Sequence, residues 1–361
     1  MAESTRTKKS FHLRLLRWYR DNSRNLPWRQ TKNPYYIWIS EVMLQQTTVQ
    51  AVIPYFNNWI KIFPDIITLA ESPLQKVLKT WQGLGYYQRA KNLHSSSKQI
   101  MKDFKGQIPQ DYDKLIKLPG FGPYTTAAVL SLAFDLPYPV VDANVRRVLM
   151  RLTGLAKEAS PRFDKTLLEF LTPLLPKRNM GTFNQAMMEL GSLVCRSKNP
   201  ACLLCPLPAE CRAYKNGKQE IIPKPKKRNY KKIEAVIGII KKGDRYLIQK
   251  RPSSGLLADL WEFPGGKINP GENSKQALHR EINEELDREV QSEKFLVSVR
   301  HAYTQFQVTL HAFECTLKQY PRLDKKNHRW VSLRSMRHYP LPSGSAKIVH
   351  FLEETHKHWD T

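Results

Sequence analysis

The chain has 361 residues, with 58 Lys and Arg against 32 Asp and Glu, a formal net charge of +26. That length predicts two domains, and a charge so far beyond what solubility requires predicts a polyanionic partner. Basic residues spread through the chain argue against a membrane surface as that partner, and no apolar run approaches the roughly 20 residues that span a bilayer. Met1–Lys9 does not read as a signal peptide.

Phe11–Asp21 has apolar residues at helical spacing with basic ones between them, and it ends in the polar stretch Asn22-Ser23-Arg24-Asn25. Leu26-Pro27-Trp28-Arg29 reads as a turn. From Ile37 to Val49 the segment is mostly apolar and carries one acid, Glu41. A lone Glu in an apolar helix usually reaches solvent at an edge; if it is desolvated instead, its pKa rises toward what a general acid needs. Pro54–Ala70 and Pro73–Trp81 predict helices that lead into Gly83-Leu84-Gly85-Tyr86-Tyr87-Gln88-Arg89-Ala90, a Gly turn opening a further helix. Leu118-Pro119-Gly120-Phe121-Gly122 lies between a short amphipathic segment and a helical run, Tyr124–Phe134, giving helix, hairpin, helix. Two glycines so close let backbone N–H groups approach a phosphate at the positive end of the next helix. An ordinary helix connection is the plainer alternative. Asp142 follows the bend Leu136-Pro137-Tyr138-Pro139, where it either caps the helix bearing Arg146 and Arg147 or serves as a site carboxylate. Phe163–Leu175 and Thr182–Val194 predict two more helices, mostly core.

Four of the five cysteines, Cys195, Cys202, Cys205 and Cys211, form a ligand pattern rather than a secreted disulfide framework, which places the protein in a reducing compartment. Structural zinc sites usually show two close pairs; here only Cys202 and Cys205 form one. Lys215–Lys232, rich in Pro and Lys, reads as a linker able to touch DNA. Beyond it the periodicity predicts strands at Ala235–Ile240, Tyr246–Gln249 and Leu260–Phe263, then a helix at Ser274–Leu286. Strands return at Phe295–Arg300 and Gln305–Cys315 before a last helix at Ala346–Thr355, so this part is α+β.

The hairpin followed by Asp142 resembles the helix-hairpin-helix DNA glycosylase superfamily. Ser40-Glu41-Val42-Met43-Leu44-Gln45-Gln46-Thr47 resembles, nearly residue for residue, the signature of MutY-type adenine DNA glycosylases. The C-terminal part resembles the MutT-like lesion reader of that family, so the resemblance covers almost the whole chain. It implies a multidomain fold: an all-α helix-hairpin-helix glycosylase domain with an iron-sulfur cluster loop, plus an α+β Nudix-like domain. The boundaries expected are 1–216 for the glycosylase (hairpin 118–122, cluster loop 195–211), 217–232 for the linker and 233–361 for the Nudix-like domain.

The implied reaction is hydrolysis of the bond between deoxyribose and an adenine mispaired with 8-oxoguanine or guanine. It needs an acid on the base and a negative charge beside the developing oxocarbenium ion. The resemblance gives these roles to Glu41, protonating N7, and Asp142, with Tyr124 and Asn144 orienting them. Trp28, Arg29, Leu44 and Gln185 correspond to the adenine pocket. Gln46 and Tyr86 would fill or wedge the stack once the base is flipped out, and Gly120, Gly122, Arg196 and Lys198 would meet phosphates. The cysteine spacing matches the family's 4Fe-4S loop. Tyr303-Thr304-Gln305 stands where many bacterial members have the Phe-Ser-His that checks 8-oxoguanine. The Nudix box persists from Gly266 through Glu272 to Arg280-Glu281-Ile282-Asn283-Glu284-Glu285, with Asp287 in place of its last glycine. Glu281, Glu284 and Glu285 share a helix face, which with Glu272 could hold Mg²⁺. The expected partner is duplex DNA with an adenine mispair, met by a cytoplasmic monomer without membrane attachment.

Three alternatives differ in kind. An endonuclease III-like glycosylase with lyase activity would carry a lysine where Tyr124 stands, so β-elimination should be absent here. A Nudix nucleotide hydrolase would use the helices only as a DNA tether. A non-enzymatic DNA-binding protein would leave Glu41 unexplained.

Overall fold

The computed structural model describes residues 2–225, 230–303 and 306–357, and their side chains except at 2–10, 302, 303, 356 and 357. It divides into two compact units, Met1–Glu71 with Asn92–Lys227 and Ser72–Lys91 with Arg228–Thr361. The break near 227 falls inside the expected linker. The excursion of residues 72–91 into the second unit is not marked by any change in composition.

The first unit is helical. Its chain order begins α1 (Ala2–Asn22), α2 (Pro34–Leu44), α3 (Val49–Ile62) and α4 (Ile66–Glu71). Where one helix is expected over Pro54–Ala70, two form. Phe63-Pro64-Asp65 separates them, because Pro64 cannot donate to the helical ladder and the Asp65 side chain accepts from the Thr68 N–H at 2.7 Å to start α4. After α5 (Leu74–Trp81), α6 (Gln88–Phe104) brings the chain back, and α7 (Tyr112–Leu115), α8 (Pro123–Phe134), α9 (Ala143–Thr153), α10 (Asp164–Leu171), α11 (Met180–Leu193) and α12 (Arg212–Lys215) complete the unit. Phe11, Leu15, Val148, Leu149, Phe183 and Met187 form its main core, while Ile37, Ala128, Leu132 and Val140 pack α2 against α8. At about 25 cal/mol per Å², each of these buried side chains larger than Ala128 contributes about 2 kcal/mol.

The second unit is a six-stranded sheet with helices on both faces. β1 (Lys231–Lys242), β2 (Arg245–Lys250), β3 (Trp261–Glu262), β4 (Val290–Tyr303), β5 (Phe306–Leu317) and β6 (His328–Ser332) are ordered β3-β2-β1-β5-β4, with β6 on β2. β1 and β5 run parallel, pairing Val236 with His311 and Ile240 with Cys315; the other pairs are antiparallel. Alternation along β1 sends Val236 and Ile240 to one face and Ile237 and Ile239 to the other. On the first lies α13 (Ser274–Leu286), through Leu278 and Ile282; a short α14 (Leu333–Met336) follows β6, and α15 (Ser343–Lys357) covers the second with Ile348 and Leu352. α13 starts in a capping box of Asn273 and Gln276 and ends at Asp287 in the left-handed region (φ 52°), which an aspartate tolerates better than most residues. Segment 72–91 joins this unit by specific contacts. Gln75 links to Trp261 Nε1 and the Asp259 carbonyl, both at 3.0 Å; Lys91 Nζ meets Asp259 Oδ2 at 2.6 Å; the Tyr87 hydroxyl donates to the Leu341 carbonyl at 3.1 Å. Among the described residues no helix is long and apolar enough to cross a membrane.

Candidate active site

Helix α2 starts at Asn33, whose side chain accepts from the Tyr35 N–H at 2.9 Å, with Pro34 in the first turn where no donor is missed. Tyr35 through Met43, except Tyr36, are all buried, so this helix has no solvent edge onto which Glu41 could turn. Glu41 is 4% exposed, and its Oε2 accepts from the Tyr124 hydroxyl at 2.5 Å. Burial pushes the Glu41 carboxyl up from its ordinary 4.5 to about 7; the Tyr124 hydrogen bond opposes the rise, the Asp142 charge adds to it, and Arg29 opposes it.

Asp142 is the cap of α9, with Oδ1 accepting from the Val145 N–H at 2.6 Å, and capping occupies only one of its two carboxyl oxygens with that N–H. Its other oxygen accepts from the Asn144 amide at 3.1 Å, and Asp142 and Glu41 line one cavity of about 630 Å³. Burial raises the Asp142 carboxyl, against the Val145 and Asn144 hydrogen bonds and the Arg147 charge. Arg147 in turn donates to Asn144 Oδ1 at 2.8 Å, the Gly191 carbonyl at 2.7 Å and the Cys195 carbonyl at 2.8 Å. A continuous run of hydrogen bonds thereby connects Asp142 to the first cysteine.

The same cavity is lined by Trp28, Arg29, Leu44, Gln46, Gly120, Gly122, Tyr124, Asn144 and Gln185, which draws most of the expected site together. Gly120 adopts φ +80°, where a side chain would be strained and a Cβ would lie 2.8 Å from that of Asn92. Sequence reasoning missed three neighbours. Glu189 on α11 is fully buried and bound by Arg24 and Arg29; against its burial, their hydrogen bonds carry its carboxyl down to about 2. Met188 lies with its sulfur 3.7 Å from the Tyr124 hydroxyl. Arg151, 2% exposed, donates to the Cys195 and Arg196 carbonyls and to Cys195 Sγ at 3.2 Å. A lone acid in the apolar run 182–194 is the signal that could have found Glu189.

Cys195, Cys202, Cys205 and Cys211 line one small cavity with Arg151. Among the described residues no three His, Cys, Asp or Glu side chains stand in metal-ligand geometry. The donor chemistry nonetheless fits an iron-sulfur group. Four cysteines share the lining of that cavity, and although burial pushes the Cys205 thiol up to about 12, a buried guanidinium donates to Cys195 Sγ and the Leu207 N–H to Cys205 Sγ, the donors that thiolate ligands would accept from. Arg196 and Lys198 are exposed on this loop and do not line the larger cavity. Tyr86 belongs to the second unit, at φ +49°, with the Arg89 guanidinium 5.6 Å over its ring.

In the second unit Thr304 and Gln305 lie outside the described residues, and Tyr303 is described only as the end of β4. Arg280 ties up three of the four Nudix carboxylates, bonding Glu272 at 2.6 Å, Glu281 at 2.8 Å and Glu284 at 3.2 Å. Glu285 turns away to accept from the Gly265 N–H and Gln249, both at 2.7 Å, and burial pushes it up to about 7.

Residues 39–173 match the HhH-GPD superfamily of base excision DNA repair proteins, and residues 235–351 match the NUDIX domain. The class is thus a helix-hairpin-helix DNA repair protein with a Nudix-type second domain. The adenine DNA glycosylase of Buchnera aphidicola subsp. Acyrthosiphon pisum (strain APS) is 37% identical, over 95% of this chain and 97% of its own. That of Mus musculus is 30% identical, over 96% of this chain and 78% of its own. The chain belongs to the adenine DNA glycosylase family. A solved thermostable thymine-DNA glycosylase is similar over 59% of this chain and 98% of its own, with a TM-score of 0.53 and 28% identity.

Proposed function

We propose that this protein binds duplex DNA and excises adenine mispaired with 8-oxoguanine or guanine, releasing the free base without nicking the strand. The observation that carries the reading is a buried Glu41, hydrogen-bonded by Tyr124, in one cavity with Asp142. Protonated near neutral pH, Glu41 gives its proton to adenine N7 as the bond between C1′ and N9 breaks. Asp142 supplies the charge beside the oxocarbenium ion, and that growing cation favours its ionised form. Water adds at C1′. Tyr124 and Asn144 orient the two carboxyls, and Trp28, Arg29, Leu44 and Gln185 enclose the flipped base.

Gln46 and Tyr86 hold the opened stack, and Gly120, Gly122, Arg196 and Lys198 grip phosphates. Cys195, Cys202, Cys205 and Cys211 hold a 4Fe-4S cluster, which supplies a rigid, redox-capable brace for the loop. Tyr303, Thr304 and Gln305 read the oxidised guanine. The occupation of Glu272, Glu281 and Glu284 by Arg280 supports a scaffolding role for the Nudix box over Mg²⁺ binding and nucleotide hydrolysis. Incubation with duplexes bearing a panel of base pairs, with alkali-revealed abasic sites scored separately from direct nicks, tests the proposal. Base release confined to adenine mispairs, without nicks, is expected; direct nicking would favour the lyase reading, and no release would sink both.

A further inference from the structure

The carboxyl of Glu41 shares its cavity with two guanidinium groups, Arg24 and Arg29. A cation there works against a general acid, because it stabilises the carboxylate, the form with no proton to give. Beneath both lies Glu189. It accepts the Arg24 N–H at 2.9 Å, Arg24 Nε at 2.8 Å and Nη2 at 2.6 Å, and Arg29 Nη1 at 3.0 Å and Nη2 at 2.8 Å. Four bonds from two side chains and one from the Arg24 backbone converge on one carboxylate that is 1% exposed. The arrangement extends sideways: the Arg29 guanidinium lies 5.6 Å over the Tyr19 ring, and the Tyr19 hydroxyl donates to Gln185 at 2.9 Å.

We propose that Glu189 is a positioning residue for base excision, fixing Arg29 in the cavity wall and offsetting one of the two guanidinium charges so that Glu41 keeps its proton. The proposal rests on the reading of Glu41 as the acid. Glu41 is faced by Tyr124 from α8, by Asp142 from the start of α9 and by Arg29 from the turn before α2, and among these only Arg29 brings positive charge. Glu189 is faced by Arg24, Arg29 and Tyr19. A merely structural ion pair would set how well the protein folds. It would not set the pH at which the acid fails.

Single-turnover adenine release by the full chain, followed from pH 5 to 9, separates these roles. In the wild type the rate falls as pH rises past about 7, where Glu41 loses its proton. Glu189→Gln takes the wall from one net positive charge to two, and the falling limb moves to lower pH by roughly one unit. Glu189→Asp retains the charge and keeps the limb in place even where the plateau drops. Arg24→Gln removes a cation, leaves the Arg29 fork on Glu189 intact and moves the limb to higher pH. That variant carries the test if Glu189→Gln does not fold. Limbs that superimpose on the wild type, or that move in the reverse directions, overturn the proposal. A wild type that releases no adenine overturns the excision reading instead, and one with no limb near pH 7 overturns the assignment of Glu41.

Discussion

Glu41→Gln should make the protein more stable at alkaline pH while abolishing its proposed chemistry. Folding takes this carboxyl from its ordinary 4.5 to about 7, chiefly by burial. In the unfolded chain it ionises near 4.5, so between that pH and about 7 the folded state must hold a proton that the unfolded state has released. Each pH unit of that interval costs about 1.4 kcal/mol, and the interval costs the wild type about 3 kcal/mol of stability. The sign follows: this stability is fully present below 4.5 and is gone above about 7. A glutamine fills the same space, can accept from Tyr124 and never ionises. Urea unfolding of wild type and variant at pH 4.5 and 8.5 should give a gap that opens by about 3 kcal/mol in favour of the variant at the higher pH. A gap of the same size at both values would refute the reasoning, because it would mean that Glu41 is solvated or that another group supplies its proton.

Asp142→Asn should bind a mispaired duplex but release no base, because the cation loses its counter-charge; retained single-turnover excision argues against it. Gly191→Ala should be destabilising by about 1–3 kcal/mol. Its new Cβ would lie 2.6 Å from that of Asn144 and 3.0 Å from the Asn144 carbonyl, which pushes the start of α9 away from α11 and moves Asp142. Thermal unfolding together with excision rates checks this, and wild-type values for both would show that the two helices are looser than they look. Iron and sulfide analysis with a visible spectrum should report a 4Fe-4S cluster lost in Cys205→Ser; stoichiometric zinc without iron excludes it. Thr304→Val should narrow the preference for 8-oxoguanine over guanine opposite adenine, and an unchanged ratio removes Thr304 from lesion reading.

Local chemistry made much of this molecule readable from its residues. The hairpin at Gly120 and Gly122, the cap role of Asp142 and the left-handed end at Asp287 all follow from backbone rules acting over a few positions. The burial of Glu41 was not readable that way. Whether a lone acid in an apolar helix meets solvent or a cavity depends on what packs against it, and Tyr124 arrives from 83 residues further on. Glu189 shows the same pattern and does not stand out in the sequence, because its partners lie 165 and 160 residues away. The single helix expected over Pro54–Ala70 failed for a local reason: Pro64 interrupts the ladder, whereas apolar periodicity continues across it.

The excursion of residues 72–91 changes what the linker means. The backbone passes from one unit to the other three times, near 71, 91 and 227, so a cut at the linker severs one passage of three. A fragment ending there still carries Gln75, Tyr87 and Lys91, the partners of Trp261, Leu341 and Asp259 in the other fragment. The two halves, produced as separate chains, should therefore find each other and reassemble in trans, whereas a C-terminal half made alone lacks part of its own fold. The linker is a tether, and the complementarity that reunites the pieces resides in a segment far upstream of it.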